Sequence, residues 1–487
     1  MKKWTVTVLL VSILMLLVAC NDKLSEQKQE VLQKYAIVLD ISEDLLTAEL
    51  RTTISYYNDT ENDLNEIKFR LYPNTYQEDS PTCAYFSQLS KYGEITINEV
   101  SIAGVPATYD AVETVLCVAL ASPLPPQKEI EISINCTLDI PESDLRLGLH
   151  NNVLRLAHFY PVLCVYENGA WRTDEFYKVG NPFYHECAEY AVTVLCKENL
   201  TVASTGKTVS EIKNGEQKTV TIEAKGVRDF GLMLSENFKI AESKHGDTVI
   251  RYYYTDNGSK EAELAAATSA IEIFSDTVGI YPYPVYTIVE SDFYYGSAGF
   301  GNLAMISTSS ADTEKLVIYE TAQQWFGNMV GNDNINHCWQ NEALSAFLAN
   351  YYYYLKENKK SYEEQKGNDR KEYLAFQTSR QNNSSSCSFD LNRTVYQFTT
   401  NYEYGMVIHK KGSMMFDAVL DIVGKDRMNK ALNAYYHDYA YSVATAEQML
   451  ASFDQATDRK VSALVRSWLD EKTIISGVIT NTPSEEV

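Results

Sequence analysis

Apolar and polar positions alternate with a period of two through the first half of the chain. Ala48, Leu50, Thr52, Ile54 and Tyr56 fall on one side, and Glu49, Arg51, Thr53 and Ser55 on the other. Ile130, Ile132, Ile134, Cys136, Leu138 and Ile140 repeat the scheme against Glu129, Glu131, Ser133, Asn135 and Asp139. Strands with one apolar face are half-buried and pair antiparallel. Asn214-Gly215, set between KTVSEIK and EQKTVTIEA, predicts a type I′ hairpin. Residues 34 to 245 therefore predict an all-β sandwich.

The period then changes. From Ser259, a predicted N-cap, Leu264, Ala267, Ile271, Phe274 and Val278 recur at helical spacing up to Gly279 and the breaker Tyr281-Pro282-Tyr283-Pro284. Residues 313 to 330 predict a helix with Ile318, Ala322, Trp325 and Met329 on its apolar stripe and Tyr319, Glu320 and Gln323 on the other face. A second helix is predicted over 341 to 357, opening with Glu342, and a polar loop over 377 to 393. Residues 246 to 474 thus predict a mixed α/β and helical domain, giving an α+β fold class, with a flexible tail at 475 to 487.

The first twenty residues stand apart. Lys2 and Lys3 precede an unbroken apolar run that ends Leu17-Val18-Ala19-Cys20, the architecture of a secretory signal. The last four residues resemble a bacterial lipobox, which implies a lipidated Cys20 as mature N-terminus and a membrane anchor outside the cytoplasm. Residues 21 to 33 are polar and read as a tether. The net charge of −23, from 42 basic and 65 acidic residues, repels phosphate backbones, so nucleic acid is not an expected partner. Only the initial stretch approaches bilayer length, which excludes a polytopic transporter. The other eight cysteines show no CxxC spacing, and Cys117, Cys136, Cys164 and Cys196 sit in strand-like apolar runs. Buried free thiols are expected there.

Candidate chemistry is conspicuous for what is missing. The seven histidines are His150, His158, His185, His245, His337, His409 and His437. None is paired at i, i+4 or i, i+2, so no local zinc-hydrolase motif exists. A GxSxG elbow, a Walker loop and a dinucleotide fingerprint are also absent from the sequence. Yet the series Tyr281-Pro282-Tyr283-Pro284, SDFYYGSAGFGNLAMIS, IYETAQQWFGN, WQNEALSAF and VIHKKGSMM, with Phe159-Tyr160-Pro161, NPFYHECAEYAVTV and VRDFGLMLSENF upstream, resembles the membrane alanine aminopeptidase family. That family is the gluzincin branch of zinc metallopeptidases, and the resemblance runs over about residues 34 to 474.

The resemblance implies a thermolysin-like second domain and a zinc ion held by HExxH and a more distant Glu. Those positions match Tyr319, Glu320, Gln323 and Glu342, so both motif histidines are replaced. Gly299 stands where the family has the Glu that grips the substrate's amino group, and His409 where it has a transition-state tyrosine. A buried phenol and an amide carbonyl are poor substitutes for two imidazoles. Three expectations follow: no zinc cofactor; a cleft that binds a peptide or a membrane protein partner without acting as a peptidase; and an answer to the paired charges of Glu320 and Glu342 by a retained proton, by a hard cation such as calcium or magnesium held by oxygens, or by a cationic side chain, for which His409 is placed. The alternative is an active enzyme, either with an atypical metal site built on Glu320, Glu342 and a remote His, or metal-free with Glu320 and His409 as acid and base.

Overall fold

Thr47–Tyr57 pairs with Gln33–Ile41 on one side and Glu129–Asp139 on the other, so that Leu50 faces Leu39 in one register and Cys136 in the other. These three strands are the centre of an eight-stranded sheet. Its order runs Lys207–Asn214, Gln217–Val227, Ala188–Lys197, Gln33–Ile41, Thr47–Tyr57, Glu129–Asp139, Glu94–Ile102 and Val105–Pro106. The predicted inward set is buried except at one strand start: Ala48, Leu50, Thr52, Ile54, Tyr56, Ile132, Ile134, Cys136, Leu138 and Ile140 are all at most 3 % exposed, while Ile130 is half-buried. Two four-stranded sheets, one around Leu64–Arg70 and Val115–Leu124 and the other around Val153–Ala157 and Gly231–Ser235, and a two-stranded ribbon of Tyr166–Glu167 and Ala170–Trp171 complete the described β domain. The computed structural model describes residues 33–80, 89–382 and 388–470. Cys20, nearly all of the tether, Cys83, Cys387 and the terminal segment lie outside the described residues. Among the described cysteines, Cys117, Cys136, Cys164, Cys187, Cys196 and Cys338 are free thiols.

Three local expectations need correction. The hairpin at Asn214 turns through Gly215 and Glu216, since Asn214 is already paired with Gln217. Only Gly215 has a positive φ there, at 66°, which suits a type II′ turn with Gly in first place. The hairpin Lys239–His245 and Thr248–Tyr254 belongs to the next sheet, so residue 245 falls next to its turn. The helix over Lys359–Asn382 runs six residues into the stretch read as loop; with only Tyr362, Asp369, Tyr373 and Phe376 buried along it, its apolar period is faint in sequence.

The second domain carries a five-stranded sheet ordered Lys239–His245, Thr248–Tyr254, Val285–Ser291, Leu303–Ser307 and Ser297–Phe300. The middle three strands are parallel, and each edge strand is antiparallel to its neighbour. Helix Glu261–Thr277 follows, its cap shifted one residue to Lys260 from the predicted Ser259, whose hydroxyl still accepts from the Glu261 amide at 3.4 Å. Val153, Ala157 and Met233 of the first domain share a buried cluster with Val289, Phe300, Leu303 and Met305 of the second. The domains are thus joined by core packing.

Arg228 is the polar part of that junction. Its guanidinium, 8 % exposed, donates to the carbonyls of His185 (2.6 Å), Asn328 (3.0 Å), Met329 (3.2 Å) and Ser442 (2.9 Å). One side chain from the β domain therefore satisfies three carbonyls of the helical domain. The Met329 and Ser442 carbonyls also accept from the Tyr441 and Gly331 amides, so the loss of Arg228 falls on the carbonyls of His185 and Asn328, and buried acceptors that lose their donor cost about 1–3 kcal/mol each. Arg228→Ala is expected to lower the unfolding free energy by roughly 3–5 kcal/mol in urea titrations, and Arg228→Lys to recover only part, because an ammonium lacks the planar fork that reaches four carbonyls.

Candidate functional site

The motif helix begins at Asp312, whose carboxylate caps it by accepting from the Lys315 amide at 3.0 Å. It runs Thr313–Trp325, five residues short of the predicted end. Gly327 adopts φ 130°, outside the helical region, and a side chain there would meet Gln323 Oε1 at 2.3 Å. Tyr319 and Gln323, four residues apart, share one face, with Glu320 one step round. The next helix, Trp339–Leu355, starts two residues before the predicted boundary and sets Glu342 in its first turn, where the helix dipole favours a negative charge. His409 comes from a π-helical turn, Gly405–Lys411, a geometry often found at functional sites. All five line a cleft of about 630 Å³ between the domains.

Inside it, three side chains close on one carboxylate. Glu342 is 5 % exposed and accepts from the Tyr319 hydroxyl and from Gln323 Nε2 at 2.9 Å. Gln323 Nε2 also donates to the Tyr319 oxygen at 2.7 Å. His409 Nε2 lies 3.3 Å from Glu342 Oε2, an ion-pair contact without hydrogen-bond alignment. Burial pushes the Glu342 carboxyl up, but the nearness of His409, helped by Tyr319, outweighs it and holds the group below its ordinary value. Burial, followed by the charges of Glu342 and Glu320, drives the Tyr319 phenol well above 10, so it stays protonated.

Glu320 behaves oppositely. It is 2 % exposed, with Oε2 unpartnered. Burial, with the Glu342 charge adding, pushes its carboxyl up to about 8 against a hydrogen bond from Ser297. The carboxyl lies against the edge strand at Gly299, where an added Cβ would stand 2.5 Å from Oε2. Gly299 is thus close-fitted to Glu320, and any side chain at that position requires Glu320 to turn away.

The opposite wall holds residues that sequence spacing did not connect. His158 follows the strand Val153–Ala157, His185 precedes Ala188–Lys197, and Asp229 lies between Gln217–Val227 and Gly231–Ser235. Their possible metal-ligating atoms all lie within 4.8 Å of one another, and all three residues are buried. Burial, with the charges of His158 and Arg228 adding in the case of His185, holds both imidazoles below their ordinary value. Arg146, whose charge reaches Glu320 and Glu342, stacks on Phe183 and Tyr295 at 5.3 and 5.6 Å. No local motif signals this wall, because each residue comes from a different strand connection. Of the predicted site residues, Tyr319, Gln323, Glu342 and His409 form one network, with Glu320 and Gly299 a second group beside it.

The two carboxyls have opposite pH consequences. Glu342, lowered on folding, adds stability above its ordinary value and loses it as pH falls. Glu320 is raised from 4.5 to about 8, so between those values the folded chain binds a proton that the unfolded chain does not, and stability falls as pH rises. Glu320→Gln removes this penalty. Its stability advantage over wild type is expected to grow from near zero at about pH 5 to at most about 4 kcal/mol at about pH 8, followed by denaturant unfolding across that range.

Comparison with known proteins agrees with the geometry. Residues 300–468 match the peptidase family M1 domain. Aminopeptidase M1-B of Oryza sativa subsp. japonica is 23 % identical over 317 residues, 58 % of this chain and 34 % of that protein. Aminopeptidase 2, mitochondrial, of Saccharomyces cerevisiae is 21 % identical over 306 residues, 58 % of this chain and 31 % of that protein. The chain thus spans about a third of the length of these relatives. The crystal structure of an M1 zinc metallopeptidase from Deinococcus radiodurans superposes with a TM-score of 0.68 at 15 % identity, covering 91 % of this chain and 95 % of that one. A mutant of that enzyme has been seen bound to a Tyr-Ser-Ala substrate, with a TM-score of 0.67 at 14 % identity, over 91 % of this chain and 95 % of that one. The chain is thus similar to M1 aminopeptidases in sequence over residues 300–468 and shares the two-domain fold of M1 zinc metallopeptidases.

Proposed function

We propose that this chain is a lipid-anchored, exported M1-like protein whose cleft binds an extended peptide or a segment of a membrane protein without zinc-dependent hydrolysis at the family's position. The observation that carries the reading is the closed set Tyr319, Gln323, Glu342 and His409. Zinc does not fit these donors. The Glu342 oxygen it would use already takes two hydrogen bonds and an ion-pair contact. The phenol is held protonated, and an amide carbonyl is a weak neutral donor.

What remains is binding. The cleft is large enough for several residues of an extended chain, and its polar lining offers donors and acceptors to a peptide backbone. Loss of the amine-gripping Glu at Gly299 removes the feature that would favour a free N-terminus. Metal-free hydrolysis with Glu320 and His409 as acid and base is disfavoured by their directions: Glu320 faces Ser297 and Gly299, whereas the imidazole of His409 faces Glu342.

Two measurements test the reading. Purified protein is expected not to release the aminoacyl group from an aminoacyl nitroanilide, whereas the fourfold variant Tyr319→His, Gln323→His, Gly299→Glu, His409→Tyr is expected to gain a zinc ion that depends on Glu342. Wild-type cleavage that vanishes both on chelation and in Glu342→Ala would defeat the proposal. For the anchor, Cys20→Ser is expected to shift the protein from the membrane fraction to the soluble one, since the acyl chains supply the stable attachment; unchanged fractionation would count against lipidation.

A further inference from the structure

We infer that His158, His185 and Asp229 form a binding site for a borderline divalent transition-metal ion, zinc foremost, on the wall of the cleft opposite the family's metal position. Two imidazoles and one carboxylate make up a donor set that zinc commonly takes, with the fourth place left for water. His158 is 3 % exposed, and its Nε2 has no hydrogen-bond partner although it lies 3.4 Å from Asp229 Oδ2. A buried nitrogen left unpartnered beside a carboxylate oxygen is costly unless something joins them. Tetrahedral zinc with bonds of about 2.0–2.1 Å needs donors about 3.3 Å apart. The His158–Asp229 pair already has that spacing, and with every donor within 4.8 Å of the others, a side-chain adjustment of about 1.5 Å at most completes the set.

Each donor is also oriented by a neighbour. Phe183 stacks on the His158 ring at 4.1 Å and 19°. The Tyr72 hydroxyl is 3.1 Å from His185 Nε2, a contact that fixes the orientation of the ring. Asp229 Oδ1 accepts from the Gly301 amide at 2.9 Å, which leaves Oδ2 turned to His158. Such outer contacts fix ring and carboxylate orientation in metal sites. All three residues line the cleft, so the cluster borders the volume where a ligand would lie.

The surrounding charge narrows the choice of ion. Arg228 stands beside His185, its guanidinium taken up by four carbonyls, and Arg146 is near His158. With one carboxylate against two nearby cations, attraction by charge alone is weak, and binding rests on the nitrogen donors. That selects zinc, cobalt or nickel over calcium and magnesium, which need several oxygens.

The purified chain, stripped by a chelator, is titrated with Co²⁺ and then Zn²⁺, with bound metal counted by plasma mass spectrometry. One equivalent of either ion is expected, with a visible Co²⁺ spectrum of four-coordinate intensity that zinc bleaches and magnesium or calcium leaves unchanged. Asp229→Asn and His158→Gln are each expected to weaken binding by at least roughly 10–100-fold, and Tyr72→Phe by a smaller factor, while Glu342→Gln binds as wild type. Paramagnetically shifted NMR of the cobalt protein should show two imidazole rings, a readout that needs no variant. Failure of the wild type to bind either ion would overturn the site and leave the proposed function untouched. Binding that is lost in Glu342→Gln yet survives both substitutions in the cluster would overturn the site and the zinc-free reading of the family position together.

Discussion

A carboxylate buried as deeply as Glu342 has to be answered by charge or hydrogen bonds, and the cleft is arranged around that constraint. Desolvation alone raises the energy of such a group by several kcal/mol. In a zinc site the ion meets the demand. Here Tyr319, Gln323 and His409, drawn from two separate helical segments, meet it with two donated hydrogen bonds and a neighbouring imidazole. The helix N-terminus adds a favourable dipole at Glu342. Glu320, one residue along the motif helix from Tyr319, has only a hydrogen bond from Ser297 against its burial, and its carboxyl is pushed up toward the protonated form instead. Two acids that share one site are thus separated into a charged one and a neutral one by their immediate partners.

The same arrangement depends on how the domains meet. The edge strand Ser297–Phe300 touches both sides of the cleft: Ser297 and Gly299 face Glu320, while the Phe300 ring lies 5.8 Å from that of His158. Arg228 ties the turn after the motif helix to the segment carrying His185 through shared carbonyl acceptors. A shift in that guanidinium would therefore be felt at both walls. Apolar packing of Val153, Ala157 and Met233 against Val289, Leu303 and Met305 supplies the bulk of the junction, but it is non-directional; the hydrogen bonds of Arg228 set which carbonyls align.

Much of the scaffold was legible in the sequence because single-face burial leaves a period of two. The strand from Ala48 to Tyr56 could be read residue by residue, and its buried face is the predicted one. The motif helix was legible in identity but not in length, since the chain turns extended at Phe326 and goes on through Gly327 outside the helical region while Met329 continues the apolar spacing. The helix Lys359–Asn382 escaped because a mostly solvated helix carries little apolar signal. At the site, Tyr319, Gln323 and Glu342 could be placed through helical spacing and family likeness. His158, His185 and Asp229 could not: they sit on three separate connections of the β domain, and only the strand order brings them together. Their proximity is a property of topology, which residue spacing does not encode.

Gly299, Tyr319, Gln323 and His409 are coupled in space. The absence of a side chain at Gly299 leaves room for the Glu320 carboxyl, which would otherwise meet a Cβ at 2.5 Å. With Glu320 turned to that strand and protonated, Glu342 is the charged acid that remains, and it is the one to which Tyr319, Gln323 and His409 are directed. A histidine at 319 alone would remove the phenol's hydrogen bond to Glu342 without completing a metal site, and a tyrosine at 409 alone would take away the neighbouring imidazole. Contacting residues such as these do not contribute additively. The cleft is therefore an internally consistent solution to the burial of two carboxylates.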